Sequence, residues 1–287
     1  MKNEAVTAIY SSPFKVVTES NEYEADVVVV ATGGLSYPLT GSTGDGYKFA
    51  KRFSHTVTKT SPSLVALKSD NDECADMAGL ALKNISIKVT DINQKIVYTD
   101  FGEMLFTRRG ISGPIALSTS SVINKFDVNQ IALYLDLKPG LKLEQGQQPN
   151  LDERILKDFK EFTNKEYKNS LVKLFPDRLA QYVVAQSKIS PDKQVNRGSA
   201  EERERLRNVI KALEFNPSRH GDLVSSIVTS GGIDVKQVNP STMQSKINPN
   251  VYFAGETLDV DAYTGGFNMQ IAFSTGYLAG VSASKEW

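Results

Sequence analysis

Residues 26–47 read DVVVVATGGLSYPLTGSTGDGY, and this stretch decides the fold. Four consecutive valines without alternation describe a strand covered on both faces, as in the parallel sheets of α/β domains. Thr32-Gly33-Gly34 ends that strand abruptly, a Ser-Tyr-Pro loop follows, and Thr43 or Asp45 can cap a helix running to about Phe53. A strand that ends in small residues and a glycine turn brings bare backbone N–H groups to the carboxyl end of a sheet, where such folds bind ligands. Residues 251–280, VYFAGETLDVDAYTGGFNMQIAFSTGYLAG, repeat the form: a strand ends at Gly255-Glu256, and Gly265-Gly266 opens a long helix from Asn268 to Val281. The start of that helix carries about half a positive charge and free donors, which suits a phosphate or a carbonyl gaining negative charge. Glu256, at the strand tip, can accept hydrogen bonds from sugar-like hydroxyls.

Outward from these two segments the pattern changes. TAIYSS and FKVVTES alternate apolar and polar residues, as a half-solvated hairpin does. Between Ser61 and Leu137 lie the short apolar runs SLVAL, NISIKVT, KIVYT, GEMLFT and IALYLDL, with Pro114 to Ile123 as a short helix, and together they predict a small barrel or curled sheet. Leu151, Ile155, Phe159 and Phe162 then recur at helical spacing, and Ser199 with Glu202 makes a capping box before Leu206, Val209, Ile210 and Leu213. DLVSSIVTSGG and TMQSKI return to strands. Glycine marks the same division: twelve of the twenty lie in 33–46 and 231–280, whereas residues 151–214 hold one glycine and 25 charged residues in 64 positions.

Composition sets limits on function. The 287 residues carry 33 Lys and Arg against 33 Asp and Glu, so no whole-molecule field favours nucleic acid, an anionic membrane or an acidic substrate. One cysteine, Cys74, excludes an intrachain disulfide and a Cys-rich zinc site, and a reducing cytoplasm is the simplest home. His55 and His220 are too few for a metal cluster and read as helix-end residues; Cys74 stands among carboxylates that disfavour a thiolate. Val27 to Ala31 is the longest apolar run, far short of the roughly 20 residues of a membrane helix.

Four motifs in order carry a resemblance: Ala31 to Tyr47, GEMLFTRRGISGP from Gly102 to Pro114, VTSGGIDVKQVNPSTMQSK from Val228 to Lys246, and Val251 to Gly280. From about Glu22 to Gly280 the chain resembles the later part of the BaiN-like flavoproteins, the family of bile-acid reductases and an aminoacetone oxidase. The resemblance implies an α/β fold: an incomplete FAD/NAD(P)-binding Rossmann-like domain interrupted by a β-barrel insert that itself carries a helical insert. The expected boundaries are 1–60 and 241–287 for the FAD-binding domain, 61–139 and 221–240 for the barrel, and 140–220 for the helices. Family members begin with a GxGxxG turn that holds the FAD pyrophosphate, and this chain has no such turn; Gly41-Ser42-Thr43-Gly44-Asp45-Gly46 has its glycines elsewhere. The chain therefore reads as a member lacking its N-terminal part, inactive as it stands and binding FAD weakly or not at all, with an open sheet edge beside Val27 to Val30 that invites self-association.

By resemblance, Thr32 and Gly33 stand near the adenosine half of FAD, and Asp45 beside the cofactor, though it can equally be a helix cap. Gly255 and Glu256 follow the last strand, with Glu256 as the ribityl-binding acid. Gly266, Asn268 and Met269 turn their backbone toward the flavin pyrimidine, where the helix dipole stabilises the reduced, anionic ring. Tyr37, Tyr263 and Thr264 flank these motifs on the substrate side, and Arg108 and Arg109 could hold a carboxylate or a pyridine-nucleotide phosphate. No metal is implied. The function implied is a cytoplasmic FAD-dependent oxidoreductase acting on a small organic substrate, with NAD(P)H or oxygen as redox partner. The absent GxGxxG motivates a rival, a flavin-free module that binds a small molecule or protein. A third reading, RNA binding through the Lys and Arg of the helical region, is disfavoured because that region is about as acidic as basic.

Overall fold

The computed structural model describes residues 4–11, 14–70, 73–144 and 149–285. The chain forms two compact units, one made of its course up to Val65 and from Gly221 onward, the other of Ala66–His220. In the first, β1 (Val6–Ser11) and β2 (Phe14–Thr18) form the expected hairpin, and β3 (Glu22–Glu24) extends it antiparallel. The polyvaline strand is β4 (Val28–Val30), and α1 (Asp45–Arg52) follows it. The cap of α1 is Gly44 in a left-handed conformation rather than Thr43 or Asp45; Thr43 instead bonds the Asp45 carboxylate. After α1 comes β5 (Ser61–Ser63), so SLVAL is split between this strand and the next.

The second unit runs β6 (Leu67–Lys68), α2 (Glu73–Asp76), β7 (Ala81–Asp91), β8 (Ile96–Thr107), β9 (Gly110–Ser112), α3 (Pro114–Ile123) and β10 (Ile131–Asp136). It continues through α4 (Leu151–Glu161), α5 (Asp177–Gln186), α6 (Ala200–Lys211), β11 (Leu213–Phe215) and β12 (Arg219–His220). Its sheet has the order β11-β10-β7-β8-β9-β6-β12 and ends at β11 and β12, so the expected barrel is an open, curled half-barrel. KIVYT and GEMLFT are one twelve-residue strand, β8, because both keep pairing with the long β7. Helix α3 lies where Pro114 places it, and the Ser199–Glu202 capping box starts α6. The helices do not make a domain of their own: Leu179, Val183, Leu206 and Ile210 share one buried core with Ile87, Met104 and Leu133 of the sheet.

On the return, β13 (Val228–Ser230) pairs antiparallel with β5, and β14 (Val251–Phe253) pairs parallel with β4 in the register Val251 to Val28 and Phe253 to Val30. Residues 61–65 and 221–240, expected in the barrel, thus belong to the first unit, since β5 and β13 bond each other and not the curled sheet. TMQSKI makes single bridges at Gln244 and Ser245 rather than a strand. The last element is α7 (Phe267–Lys285). Val30, Phe49, Phe53, Ile233, Tyr252 and Phe253 form this unit's core. The valine strand is not covered on both faces as its composition implied: Val29 is 40% exposed.

Candidate functional site

Three glycine turns of the first unit converge: Gly33-Gly34 after β4, Gly231-Gly232 after β13, and Gly255 after β14. Thr229 ties them together. Its hydroxyl accepts the N–H groups of Leu35 at 2.8 Å and Ser36 at 3.1 Å, and its own N–H donates to Glu256 Oε1 at 2.8 Å. Ser36 completes the cluster through hydroxyl contacts to Thr229 at 3.1 Å and Ser226 at 2.9 Å. A Cβ on Gly34 would lie 2.5 Å from the Thr229 hydroxyl and 2.7 Å from Glu256 Oε1, so this approach requires glycine. Nearby, Asp261 accepts from Ser63 at 2.7 Å and Ser230 at 3.1 Å, while Asp259 accepts from Thr58 at 2.9 Å.

Burial pushes the Glu256 carboxyl above its ordinary value, the bonds from Thr229 oppose this, and the Asp261 charge adds to it. Tyr47, buried on α1, points its hydroxyl at the Glu256 carbonyl at 3.5 Å; burial, with the charges of Glu256 and Asp259, raises its pKa and keeps it a neutral donor. Beside Glu256 lies a cavity of about 200 Å³ lined by Ile227, Val260, Asn268, Met269 and Ala272. Its wall includes the start of α7. The first helical bond there runs from Gln270 N–H to the Gly266 carbonyl, and the N–H groups of Phe267, Asn268 and Met269 have no acceptor among the described residues.

Of the residues singled out from sequence, Glu256, Asn268 and Met269 come together around this cavity, with Gly255 and Gly266 in the adjoining turns. Thr32 and Gly33 leave β4 at the same strand ends; a Cβ on Gly46 would sit 2.3 Å from the Thr32 hydroxyl, so α1 begins close against it. Asp45 is occupied locally by Lys48 at 2.7 Å and Thr43, which hold its carboxyl below the ordinary value. Tyr37 is 52% exposed in a left-handed conformation at the tip of the 36–41 loop, and Tyr263 and Thr264 lie in the loop before α7. Arg108 and Arg109 form the exposed β8–β9 turn of the second unit. Cys74 is buried, and His55 bonds Ser245 inside the first unit. His220 ends β12, and its side chain is outside the described residues. No group of metal-ligating side chains occurs among the described residues. Sequence reading missed Thr229, Ser226, Ser36 and Asp261, which act between segments far apart in the chain and carry no local sequence signal.

Parallel strands ending in glycine turns, beside a helix with an uncapped first turn, define a Rossmann-like domain of the nucleotide-binding class. The chain belongs to the family described as the HI0933-like protein Rossmann domain, whose model matches residues 1–282. It is 31% identical over 276 residues to a ribosomal RNA dihydrouridine synthase of Haemophilus influenzae, covering 95% of this chain and 64% of that one. It is 28% identical over 278 residues to a 3-dehydro-bile acid delta(4,6)-reductase of Clostridium scindens, covering 95% and 65%. A ribosomal RNA dihydrouridine synthase of Escherichia coli is 29% identical over 255 residues, covering 87% and 58%. The chain thus spans somewhat less than two thirds of the length of these relatives. Among the described residues, no helix is long and apolar enough to cross a membrane.

Proposed function

We propose that this chain forms the flavin-facing part of an oxidoreductase that adds two hydrogens across a ring carbon–carbon double bond conjugated to a carbonyl. The observation that carries the reading is the uncapped start of α7 opening beside the cavity of Glu256 and Met269. Its three free N–H groups fit the electron-rich carbonyl edge of a flavin ring, and the glycine turns fit close approach by a cofactor. Membership of the family supports a flavoprotein oxidoreductase. The relatives' names support the reaction, since making dihydrouridine from uridine and removing the 4,6 double bonds of a 3-oxo bile acid are the same addition.

FAD, when bound, would supply the two-electron chemistry, with NAD(P)H as the reductant. The first turn of α7 steadies negative charge at the ring edge, and Glu256, tied to Thr229, fixes the strand tip beside it. Thr32 and Gly33 take the adenosine side. Tyr37, Tyr263 and Thr264 contact substrate. The substrate is a small ring rather than RNA, because the helical region is about as acidic as basic and several of its cations are matched internally: Arg154 with Asp158, Lys168 with Asp192, Lys173 with Glu161, Lys193 with Glu202 and Arg203 with Asp152.

The fit does not extend to the pyrophosphate, for which the chain holds no GxGxxG turn. About three charge-assisted hydrogen bonds are missing, each worth about 1.5–3 kcal/mol, so FAD gains little over riboflavin here. Titration with each, followed by flavin fluorescence, is expected to give affinities within about tenfold of one another. The chain, with flavin held at saturating concentration to offset the weak binding and with NAD(P)H present, is then offered a 3-oxo-4-ene steroid or a uridine-containing ribosomal RNA fragment. Mass spectrometry should find a gain of two hydrogens in the steroid. Gain in the RNA alone would reverse the substrate assignment, and no binding of either flavin would end the reading.

The open edge of β4 supports a further part of the proposal. Val28 and Val30 bond β14, and the alternate residue Val29 turns its backbone groups outward without a partner among the described residues. A second copy of the chain pairs along this edge.

A further inference from the structure

Near a helix start, a short polar side chain commonly folds back to accept free N–H groups. Asn268, in the first turn of α7, does not. Its Oδ1 accepts the Ala262 N–H at 2.9 Å, and its Nδ2 donates to the Ala262 carbonyl at 2.8 Å. Both ends of the amide are used, so only one orientation works: turned over, it would set donor against donor and acceptor against acceptor. The clasp closes the chain from Ala262 to Asn268 into a loop that carries Tyr263 and Thr264 and passes through Gly265 and Gly266, both at positive φ. Asn268 also lines the cavity beside Glu256 and Met269. With its side chain engaged elsewhere, the first-turn N–H groups stay uncapped.

We propose that Asn268 is a positioning residue, whose amide holds the 262–266 loop against α7 so that the cavity wall keeps its shape and the helix start stays open to the ring bound there. This rests on the flavin reading above. It predicts a conditional defect that truncation alone would not produce. In Asn268→Asp, a carboxylate can accept from the Ala262 N–H but repels the Ala262 carbonyl, whereas the protonated acid restores both bonds. The charged group that shares the cavity with the new carboxyl, Glu256, is acidic and favours the protonated form, while Asp261, next to Ala262 in the chain, is held by Ser63 and Ser230.

The test compares wild type, Asn268→Asp and Asn268→Ala by riboflavin titration between pH 4.5 and pH 8, with the Ala262 amide followed by nitrogen-15 NMR. Asn268→Asp is expected to bind about tenfold more weakly than wild type at pH 8 and to converge on it at the acid end. Asn268→Ala should stay weak throughout. Equal binding by all three, or an Asp variant whose defect ignores pH, overturns the proposal. The NMR arm separates the two readings. If wild type binds no riboflavin, the flavin assignment fails, and the clasp is judged by Ala262 alone: a signal that titrates only in the Asp variant supports it, and one that does not overturns it.

Discussion

The two units cover their apolar surface to very different degrees. In the second, sheet and helices bury one continuous core that runs from Leu67 to Phe215. In the first, α7 mixes apolar residues with Gln270, Ser274 and Thr275 on no single face and buries only Ala279 and Ala283, while Phe273 is 65% and Tyr277 74% exposed. Met269, Phe273 and Tyr277 recur every four residues and form one exposed stripe. A contiguous stripe of large exposed apolar side chains is one that folded proteins ordinarily cover, and a pair of parallel strands is ordinarily the centre of a larger sheet. The difference teaches that the second unit is held by its own core, whereas the first displays a face suited to a partner.

The largest expected effect breaks or upholds that contrast directly. Leu133 is fully buried between β7 and β11, and Leu133→Ala should cost about 2–5 kcal/mol in urea unfolding. Phe273→Ala removes a larger side chain and should change stability by less than about 0.5 kcal/mol. Equal losses would mean that α7 is covered in solution and that the contrast is false.

Next in size is the knot at the strand ends. Thr229→Val keeps the shape of the side chain but removes the acceptor of the buried Ser36 N–H and the partly buried Leu35 N–H. An unmet buried donor costs about 1–3 kcal/mol, so a loss of about 2–4 kcal/mol is expected, with flavin affinity falling alongside. Unchanged unfolding would show that the three glycine turns are held by something other than Thr229.

How far this arrangement was legible follows from what periodicity encodes. The capping box at Ser199, the proline-led helix at 114 and the strand-and-glycine motifs are local signals, and each appears where the residues place it. KIVYT and GEMLFT look separate because Asp100 and Gly102 interrupt the apolar pattern, yet β7 supplies a partner along the full length of β8. The polyvaline run was misleading for a related reason. Composition states what a strand would bury, and Val29 shows that the described residues leave part of it uncovered. Glu256 is legible from its place at a strand tip, and Asn268 only through the family resemblance. Thr229 and Asp261 act across long stretches of sequence, and no spacing rule marks them.

A smaller effect depends on pH. The Ser245 hydroxyl accepts the N–H groups of Ile247 at 3.0 Å and Asn248 at 2.8 Å, which leaves its single proton for His55 Nε2 at 2.9 Å. That network assigns His55 as neutral with its proton on Nδ1, a buried atom with no hydrogen-bond partner among the described residues. It is buried edge-on against Phe253 at 4.8 Å, and burial lowers its pKa against the opposing carbonyls of Phe53 and Ala50. A depressed folded-state value means that the unfolded chain takes up the proton first. Stability should accordingly fall as pH drops below about 6.5, with a limiting slope of about 1.4 kcal/mol per pH unit. Glu256 has the opposite sign, since a raised carboxyl favours the folded state at low pH and loses that contribution as pH rises through its folded-state value. Measured in a Glu256→Gln background, the acid slope should steepen, and His55→Phe should flatten it. An acid slope that survives the removal of His55 would assign it to another group.

The smallest effect on stability carries the most information about the open face. Val29 contributes an exposed side chain and an outward backbone edge. A lysine on a strand edge resists pairing with another chain, because a second copy would bury its charge, yet it costs an exposed position almost nothing. Val29→Lys should leave the urea midpoint unchanged while lowering the apparent mass at high protein concentration in analytical ultracentrifugation. Phe273→Ser, on the α7 stripe, separates the two surfaces. If both substitutions disperse the chain, edge and helix form one interface; if only Val29→Lys does, pairing runs along β4 alone. A chain that is monomeric before either substitution would remove self-association and leave the exposed face to a partner of another kind.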